Sequence, residues 1–208
     1  MQAFSIRDAL RFGWEATKRE LPTWSKLLLI SVIFWALEYA TRQGPTGSVD
    51  MAARIASVIL QLIGVGIAIL WINAALLVQG EDPIAAADLL PSPRLYLTYL
   101  LGFLLYVISV TVGLFLLILP GVYWAIEYCC FGFLIVDKQL SPLDAFKRSA
   151  QLTQGVRGQL FRFALTLVGL NILGALAAGV GLFATLPSSL AAIGYVYRRL
   201  LQRNENRS

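Results

Sequence analysis

Long apolar runs dominate the chain and alternate with short polar segments. A helix that crosses a bilayer core needs about 20 mostly apolar residues. Six runs approach or exceed that length, and the fourth and sixth are short enough to be tilted or sheltered by their neighbours. We therefore predict an all-α, polytopic membrane protein with six transmembrane helices at residues 24–40, 52–78, 95–119, 122–136, 160–183 and 188–201.

Proline and glycine mark the predicted reversals between these spans. Proline lacks a backbone donor and breaks helices. Leu119-Pro120-Gly121 therefore predicts a tight turn between the third and fourth spans, and Leu186-Pro187 predicts one between the fifth and sixth. An alternative interpretation joins the third and fourth spans into one kinked helix, although its apolar length would cross a bilayer almost twice.

Three shorter segments precede the three pairs of spans and have the character of interfacial amphipathic helices. They cover residues 1–21, 83–90 and 142–154. Ser5, Asp82 and Ser141 can cap the three helices, and in the first segment Ile6, Leu10 and Trp14 recur at helical spacing. The pattern predicts three hairpins, each preceded by a cytoplasmic interfacial helix, within a single membrane domain over residues 1–208. Either the chain contains a pseudo-threefold repeat, or its interfacial helices merely begin with similar capping residues.

The fifth span is rich in small residues, among them Gly169, Gly174 and Gly181. Small side chains let helix backbones approach closely in lipid. We expect this span to be the central helix of the bundle, or alternatively to form the face of a homodimer.

Composition supports the membrane assignment and excludes several kinds of chemistry. Hydrophobic residues make up 58% of the chain and charged residues only 14%, whereas soluble domains have about 25% charged residues. The chain has no histidine and only two cysteines, Cys129 and Cys130. This excludes His-based catalysis, His-ligated haem and the usual zinc sites. We expect no catalytic residue, no metal and no cofactor, and therefore a protein that is not an enzyme.

The positive charges set the expected orientation. Of the 17 Lys and Arg residues, only Arg42 and Arg54 fall on the side opposite the termini when the chain crosses six times. Lys and Arg concentrate on cytoplasmic segments, so both termini are expected in the cytoplasm. The formal net charge of +5 is then a signal of topology, and no nucleic-acid partner is needed to explain it.

Polar residues within or beside the spans are the candidates for a site. Glu127 is the charged group predicted to lie deepest, and Asn73 and Asn171 are polar residues at membrane depth. Because charge in lipid is costly, Glu127 either carries a proton or contacts a lipid headgroup, or it is a structural carboxyl bonded to Asn73 or Asn171. The asparagines are expected mainly to join helices by hydrogen bonds.

Basic residues around the third interfacial segment are the candidates for contact with lipid headgroups. They are Lys147, Arg148 and Arg157. Anionic headgroups attract such residues at the cytoplasmic surface.

Several short motifs together resemble a broad and largely uncharacterised group of bacterial polytopic membrane proteins. They are Phe4-Ser5-Ile6, Ala9-Leu10, Gly13-Trp14-Glu15, Leu119-Pro120-Gly121, Val136-Asp137, the run from Leu140 to Ser149, Leu152-Thr153, Gly155, the run from Gly179 to Phe183, Pro187, Tyr195 and Tyr197-Arg198. The group includes the YciC-like inner-membrane proteins and the membrane domain attached to some glycerophosphodiester phosphodiesterases. The resemblance implies a six-span helical domain in a bacterial plasma membrane, and it supplies no catalytic residue.

Three functions remain open from the sequence. The first is a non-enzymatic inner-membrane protein that binds membrane lipids or supports envelope homeostasis. The second is an accessory subunit of a larger membrane complex, whose partners are other membrane subunits or a second copy of the chain. The third is a small transporter or channel built around Glu127, for which polar residues are few.

Overall fold

The computed structural model describes residues 4–42, 51–80, 89–116, 118–177, 179 and 181–206, and these residues contain helices and no strand. The helices are α1 (Ile6–Arg19), α2 (Leu21–Arg42), α3 (Met51–Leu77), α4 (Pro93–Leu116), α5 (Ile118–Glu127), α6 (Phe131–Lys138), α7 (Pro142–Thr153), α8 (Arg157–Leu176) and α9 (Leu182–Glu205). The all-α class expected from the apolar pattern is confirmed for this part of the chain.

Five segments are long and apolar enough to cross a membrane, which fits a multi-pass membrane protein. They are Leu21–Thr41, Arg54–Leu77, Pro93–Phe115, Leu119–Lys138 and Arg157–Leu176. They correspond to the first five predicted runs. The sixth run, residues 188–201, lies inside α9, and no such segment is found there among the described residues. The reason is that serines and arginines interrupt the apolar residues of α9.

The centre of the molecule is α9, which contacts α1, α2, α3, α7 and α8. Ten residues of α9 are buried, compared with four in α8. The expectation that the glycine-rich fifth span is the central helix is therefore wrong. Close packing of α9 depends on its own small residues: Ala191 and Ala192 are fully buried, and a Cβ on Gly194 would lie 2.7 Å from the carbonyl oxygen of Ala75.

The amphipathic helix expected at the N-terminus is α1, and it packs along α9. Its first turn is capped by Ser5, whose Oγ accepts a hydrogen bond from the Asp8 amide. Its small-residue face is buried, and a Cβ on Gly13 would overlap the carbonyl oxygen of Ser188. The hydroxyl of Ser188 also donates to Thr17 at 3.1 Å. The first helix of the chain is thus fixed to the last one.

The reversal after the third run is present, slightly earlier than predicted. Helix α4 ends at Leu116 and α5 begins at Ile118, so Pro120 lies in the first turn of α5, where its missing donor is tolerated. The two helices lie antiparallel and in close contact, because a Cβ on Gly113 would be only 2.8 Å from the Cα of Gly121. A single kinked helix is therefore wrong.

The reversal predicted at Leu186-Pro187 is wrong. Pro187 lies inside α9 near its beginning, where it removes only one intrahelical hydrogen bond. The chain turns between Leu176 and Leu182 instead, and Gly179 adopts a left-handed φ of +75° that glycine tolerates.

Two of the three similar interfacial segments can be compared. Ser141 caps α7 as Ser5 caps α1, because its Oγ accepts a hydrogen bond from the Asp144 amide at 3.3 Å. Gly155, with φ of +77°, follows the end of α7. Most of the remaining segment, residues 83–90, lies outside the described residues. The threefold repeat stays a prediction.

Candidate functional site

The fourth predicted span is a broken helix. Helices α5 and α6 are separated by Tyr128–Cys130, and a helix end leaves backbone groups without partners. Helix α7 supplies those partners: Ser149 Oγ and Thr153 Oγ1 donate to the carbonyl of Glu127 at 2.8 and 3.2 Å, and Ser149 Oγ accepts from the Cys130 amide at 3.2 Å. Because Ser149 and Thr153 are fully buried, α7 closes the break as an integral part of the bundle.

The side chain of Glu127 forms an ion pair at this break. Its Oε1 lies 2.5 Å from Nη2 of Arg157, and the two side chains are 14% and 29% exposed. Arg157 also donates from Nη1 to the hydroxyl of Tyr123, and its guanidinium lies 4.6 Å from the centroid of the Tyr123 ring. Opposite charges that are partly withdrawn from water are strongly coupled, so Glu127 and Arg157 form one neutralised unit.

Of the alternatives for Glu127, a hydrogen bond to Asn73 or Asn171 is wrong. Asn73 donates to the carbonyl of Leu89 at 3.0 Å. Asn171 donates to Ser189 Oγ at 3.0 Å and thereby joins α8 to α9. The expectation that these residues connect neighbouring segments by hydrogen bonds agrees with both contacts, whereas the partner of Glu127 is Arg157.

The three basic residues expected at headgroups have different surroundings. Lys147 is exposed on α7. Arg148 donates to Oε1 of Gln151 on the same helix at 3.1 Å. Arg157 is engaged by Glu127 and Tyr123, which leaves it the least available of the three for a phosphate.

A larger site lies where α1 and α9 meet the end of α3. We call it the basic groove. It has a volume of about 620 Å³ and is lined by Phe12, Leu76, Leu77, Gln79, Gly80, Tyr195, Arg198, Arg199 and Gln202. Among these described lining residues, two are arginines and none is a carboxylate. The groove therefore favours an anion.

One face of α9 supplies the polar side of the groove. Tyr195, Arg198, Arg199 and Gln202 follow the helical spacing of neighbours on one face. Arg199 is exposed, donates from Nε to the Tyr195 hydroxyl at 3.0 Å, and lies 5.0 Å from the centroid of that ring. Tyr195 is itself stacked on Phe12 at a centroid distance of 5.1 Å. The aromatic pair thus positions the guanidinium of Arg199 at the opening.

Arg198 is held from the opposite side by Asp137 at the end of α6. Its Nη2 lies 3.4 Å from Asp137 Oδ1, and Asp137 also accepts a hydrogen bond from the Tyr197 hydroxyl at 3.0 Å. The Nε of Arg198 is buried without a hydrogen-bond partner among the described residues. A third cation, Arg19, donates to the carbonyls of Val78 and Gly80 at the edge of the groove. Among the described residues around this opening, positive charge therefore exceeds negative charge.

The sequence does not predict this groove, because its C-terminal basic cluster indicates only the topology and a contact with anionic headgroups at the membrane surface. A usable signal was present: Tyr195, Arg198, Arg199 and Gln202 share one helical face directly after an apolar run. The sequence does not show the opposite wall of the groove, because Phe12 and Gly80 reach it only through the packing of α1 and α3 on α9.

A metal centre is not found in the part of the chain that the structure describes, where no three His, Cys, Asp or Glu residues are grouped. Cys129 is exposed and Cys130 is buried, both as free thiols. Comparison of the chain with protein-family models, with curated proteins and with solved structures finds no match. The function is therefore inferred from the geometry of the molecule.

Proposed function

We propose that this chain is a non-enzymatic, multi-pass protein of a bacterial inner membrane that binds anionic phospholipid headgroups in the basic groove. The observation that carries the proposal is the pair of adjacent arginines, Arg198 and Arg199, on a groove without a carboxylate among its described lining residues. Basic pockets between transmembrane helices on the cytoplasmic side are typical sites for anionic headgroups.

The proposed topology has six crossings with both termini in the cytoplasm. Support comes from the positive charges, of which only Arg42 and Arg54 fall on the side opposite the termini when the chain crosses six times. Five segments meet the length and apolarity of a span, and we assign the sixth crossing to residues 188–201 within α9, a short run that neighbouring helices shelter. The resemblance to the YciC-like group agrees with a bacterial inner membrane.

The groove can hold one phosphate and the first part of a lipid tail. An arginine fork matches two phosphate oxygens, and the exposed edge of Arg199 is oriented by Tyr195. Leu76 and Leu77 supply apolar surface beside it. Each arginine near an anionic surface contributes about 1 kcal/mol. Because Arg198 is paired with Asp137, Arg199 alone corresponds to roughly a fivefold preference for an anionic over a zwitterionic lipid.

The test uses the full chain in nanodiscs that contain equal amounts of phosphatidylglycerol and phosphatidylcholine, with bound lipid measured by native mass spectrometry. Arg199→Gln should lower the bound phosphatidylglycerol about fivefold, which corresponds to the loss of one arginine contact. Arg7→Gln is the matched control, because Arg7 is an exposed arginine of α1 outside the groove. Equal loss in both variants, or a wild type without preference, would contradict the proposal.

A further inference from the structure

The two adjacent arginines of the basic groove have different partners within the protein. Nη2 of Arg198 lies 3.4 Å from Oδ1 of Asp137, a carboxylate of α6 that is not among the described residues lining the groove. Arg199 instead donates from Nε to the uncharged hydroxyl of Tyr195 at 3.0 Å. An anion in the groove therefore competes with a carboxylate of the protein for Arg198, but only with a phenol for Arg199.

The contact with Asp137 leaves part of the bonding capacity of Arg198 unused. Charge-assisted hydrogen bonds between nitrogen and oxygen are about 2.7–2.9 Å long, and the 3.4 Å between these two side chains exceeds that length. The Nε of Arg198 is buried without a hydrogen-bond partner among the described residues, although buried donors are usually paired. The Arg198 side chain is 40% exposed and lines the groove, so an acceptor bound in the groove can supply the partner that it lacks.

Asp137 has other partners that remain when Arg198 turns away. Its Oδ2 accepts a hydrogen bond from the Tyr197 hydroxyl at 3.0 Å and lies 3.4 Å from Nζ of Lys138. Tyr197 is itself buried, and its ring packs against Phe133 at a centroid distance of 5.4 Å. A buried carboxylate without any partner would be costly. Because Tyr197 and Lys138 stay in contact with Asp137, the protein can release Arg198 without that cost.

We propose that Asp137 is the internal counter-ion of the basic groove and competes with a lipid phosphate for Arg198. This inference rests on the proposed function. The phosphate first contacts Arg199, which Tyr195 already orients, and Arg198 then leaves Asp137 and directs its fork of donors to two phosphate oxygens. Arg198 exchanges one anion for another and adds little net affinity. Asp137 is therefore a positioning residue that limits the preference of the groove for anionic lipid.

Removal of the Asp137 charge should strengthen the groove. Wild type should prefer phosphatidylglycerol over phosphatidylcholine about fivefold, through Arg199. In Asp137→Asn, the amide oxygen can still accept from Tyr197, but no carboxylate competes for Arg198. The second arginine should then contribute another factor of about five, which raises the preference to about 25-fold. Arg198→Gln alone should leave the preference near fivefold, and it should cancel the gain when it is combined with Asp137→Asn.

The experiment uses the full chain in nanodiscs with equal amounts of the two lipids, and native mass spectrometry counts each bound lipid for the wild type, both single variants and the double variant. Asp144→Asn is the matched control. It removes the same charge from an exposed residue of α7 outside the groove, and it should leave the ratio of the two lipids unchanged. A merely structural role of Asp137 would lower the stability of the protein, but it would not raise this ratio through Arg198.

Three outcomes would overturn the proposal. They are an unchanged ratio in Asp137→Asn, a fivefold loss in Arg198→Gln alone, and a gain in Asp137→Asn that persists in the double variant. If Asp137→Asn does not fold, the measurement on Arg198→Gln decides the question by itself.

Failure of the counter-ion role can be distinguished from failure of the lipid site. If Arg199→Gln lowers the ratio while Asp137→Asn leaves it unchanged, the lipid site stands and the role of Asp137 is refuted. A wild type without any preference contradicts the proposed function and, with it, the role of Asp137.

Discussion

The ion pair between Arg157 and Glu127 gives the sharpest test of how the broken helix is stabilised. Replacing Arg157 with Met keeps an unbranched apolar stem but removes the guanidinium, which leaves the Glu127 carboxylate without this partner. Breaking a fully buried pair costs about 3–5 kcal/mol, and exposed pairs contribute at most about 1 kcal/mol. The side chains of Glu127 and Arg157 are 14% and 29% exposed, so this pair lies between those limits. We therefore expect Arg157→Met to lower the free energy of unfolding by about 2–3 kcal/mol.

Replacing Glu127 instead of Arg157 should lower the free energy of unfolding by a smaller amount. In Glu127→Gln, Arg157 keeps its hydrogen bond to the Tyr123 hydroxyl and its contact with the Tyr123 ring. The double variant Glu127→Leu with Arg157→Met removes both charges, and it should recover most of the stability lost by Arg157→Met alone, because no unpaired charge remains.

The assay is thermal unfolding in mild detergent, followed by circular dichroism. For a chain of this size, about 1 kcal/mol shifts the midpoint by roughly 2–4 °C, so Arg157→Met should lower it by roughly 5–10 °C. The matched control is Glu15→Gln in the exposed Arg11–Glu15 pair of α1, which should not change the midpoint measurably. If Arg157→Met has no larger effect than this control, or if the double variant is no more stable than Arg157→Met, the ion pair does not hold the break.

Three further predictions follow from the packing of the helices. Ser149→Ala should lower the free energy of unfolding by about 1–3 kcal/mol, because it removes a partner from two backbone groups at the break; denaturant titration measures this, and an unchanged midpoint would contradict it. Gly13→Ala should destabilise by about 1–3 kcal/mol through overlap with Ser188, whereas Gly158→Ala, where a Cβ has open space, should not; equal melting of the two variants would refute close packing of α1. Binding of phosphatidylglycerol to the basic groove should weaken as salt rises from about 0.1 to 1 M, since the Debye length falls from about 10 to 3 Å; affinity independent of salt would exclude an electrostatic site.

The apolar pattern predicted most of the helices because a span requires a long, uninterrupted run, and such runs are visible without knowledge of the partners. It misplaced the last reversal because Pro187 was taken as a breaker, although it lies in the second turn of α9 and removes only one intrahelical hydrogen bond. It also misidentified the central helix. Gly174 does pack closely against Gly181, but small residues show only that a close approach is possible, and many of those on which the core depends lie in α9.

The candidate sites were harder to predict, since they join residues far apart in the sequence. Glu127 and Arg157 were both singled out, but for unrelated roles, because nothing in the sequence brings positions 30 residues apart together. The sequence also does not show the break between α5 and α6, because Tyr128–Cys130 continue an apolar run. The groove required α1, α3 and α9 to meet, which is a property of the tertiary structure.

The contact between α1 and α9 has a consequence for biosynthesis. Thr17 and Ser188, which are joined by a hydrogen bond, are 171 positions apart. At a synthesis rate of about 5–20 residues per second, α1 leaves the ribosome roughly 10–35 s before its docking surface exists. During that interval its buried face does not have α9 to cover it, so α1 is expected to rest on the membrane surface until α9 is made. The docking of α1 is therefore completed only after α9 has been synthesised.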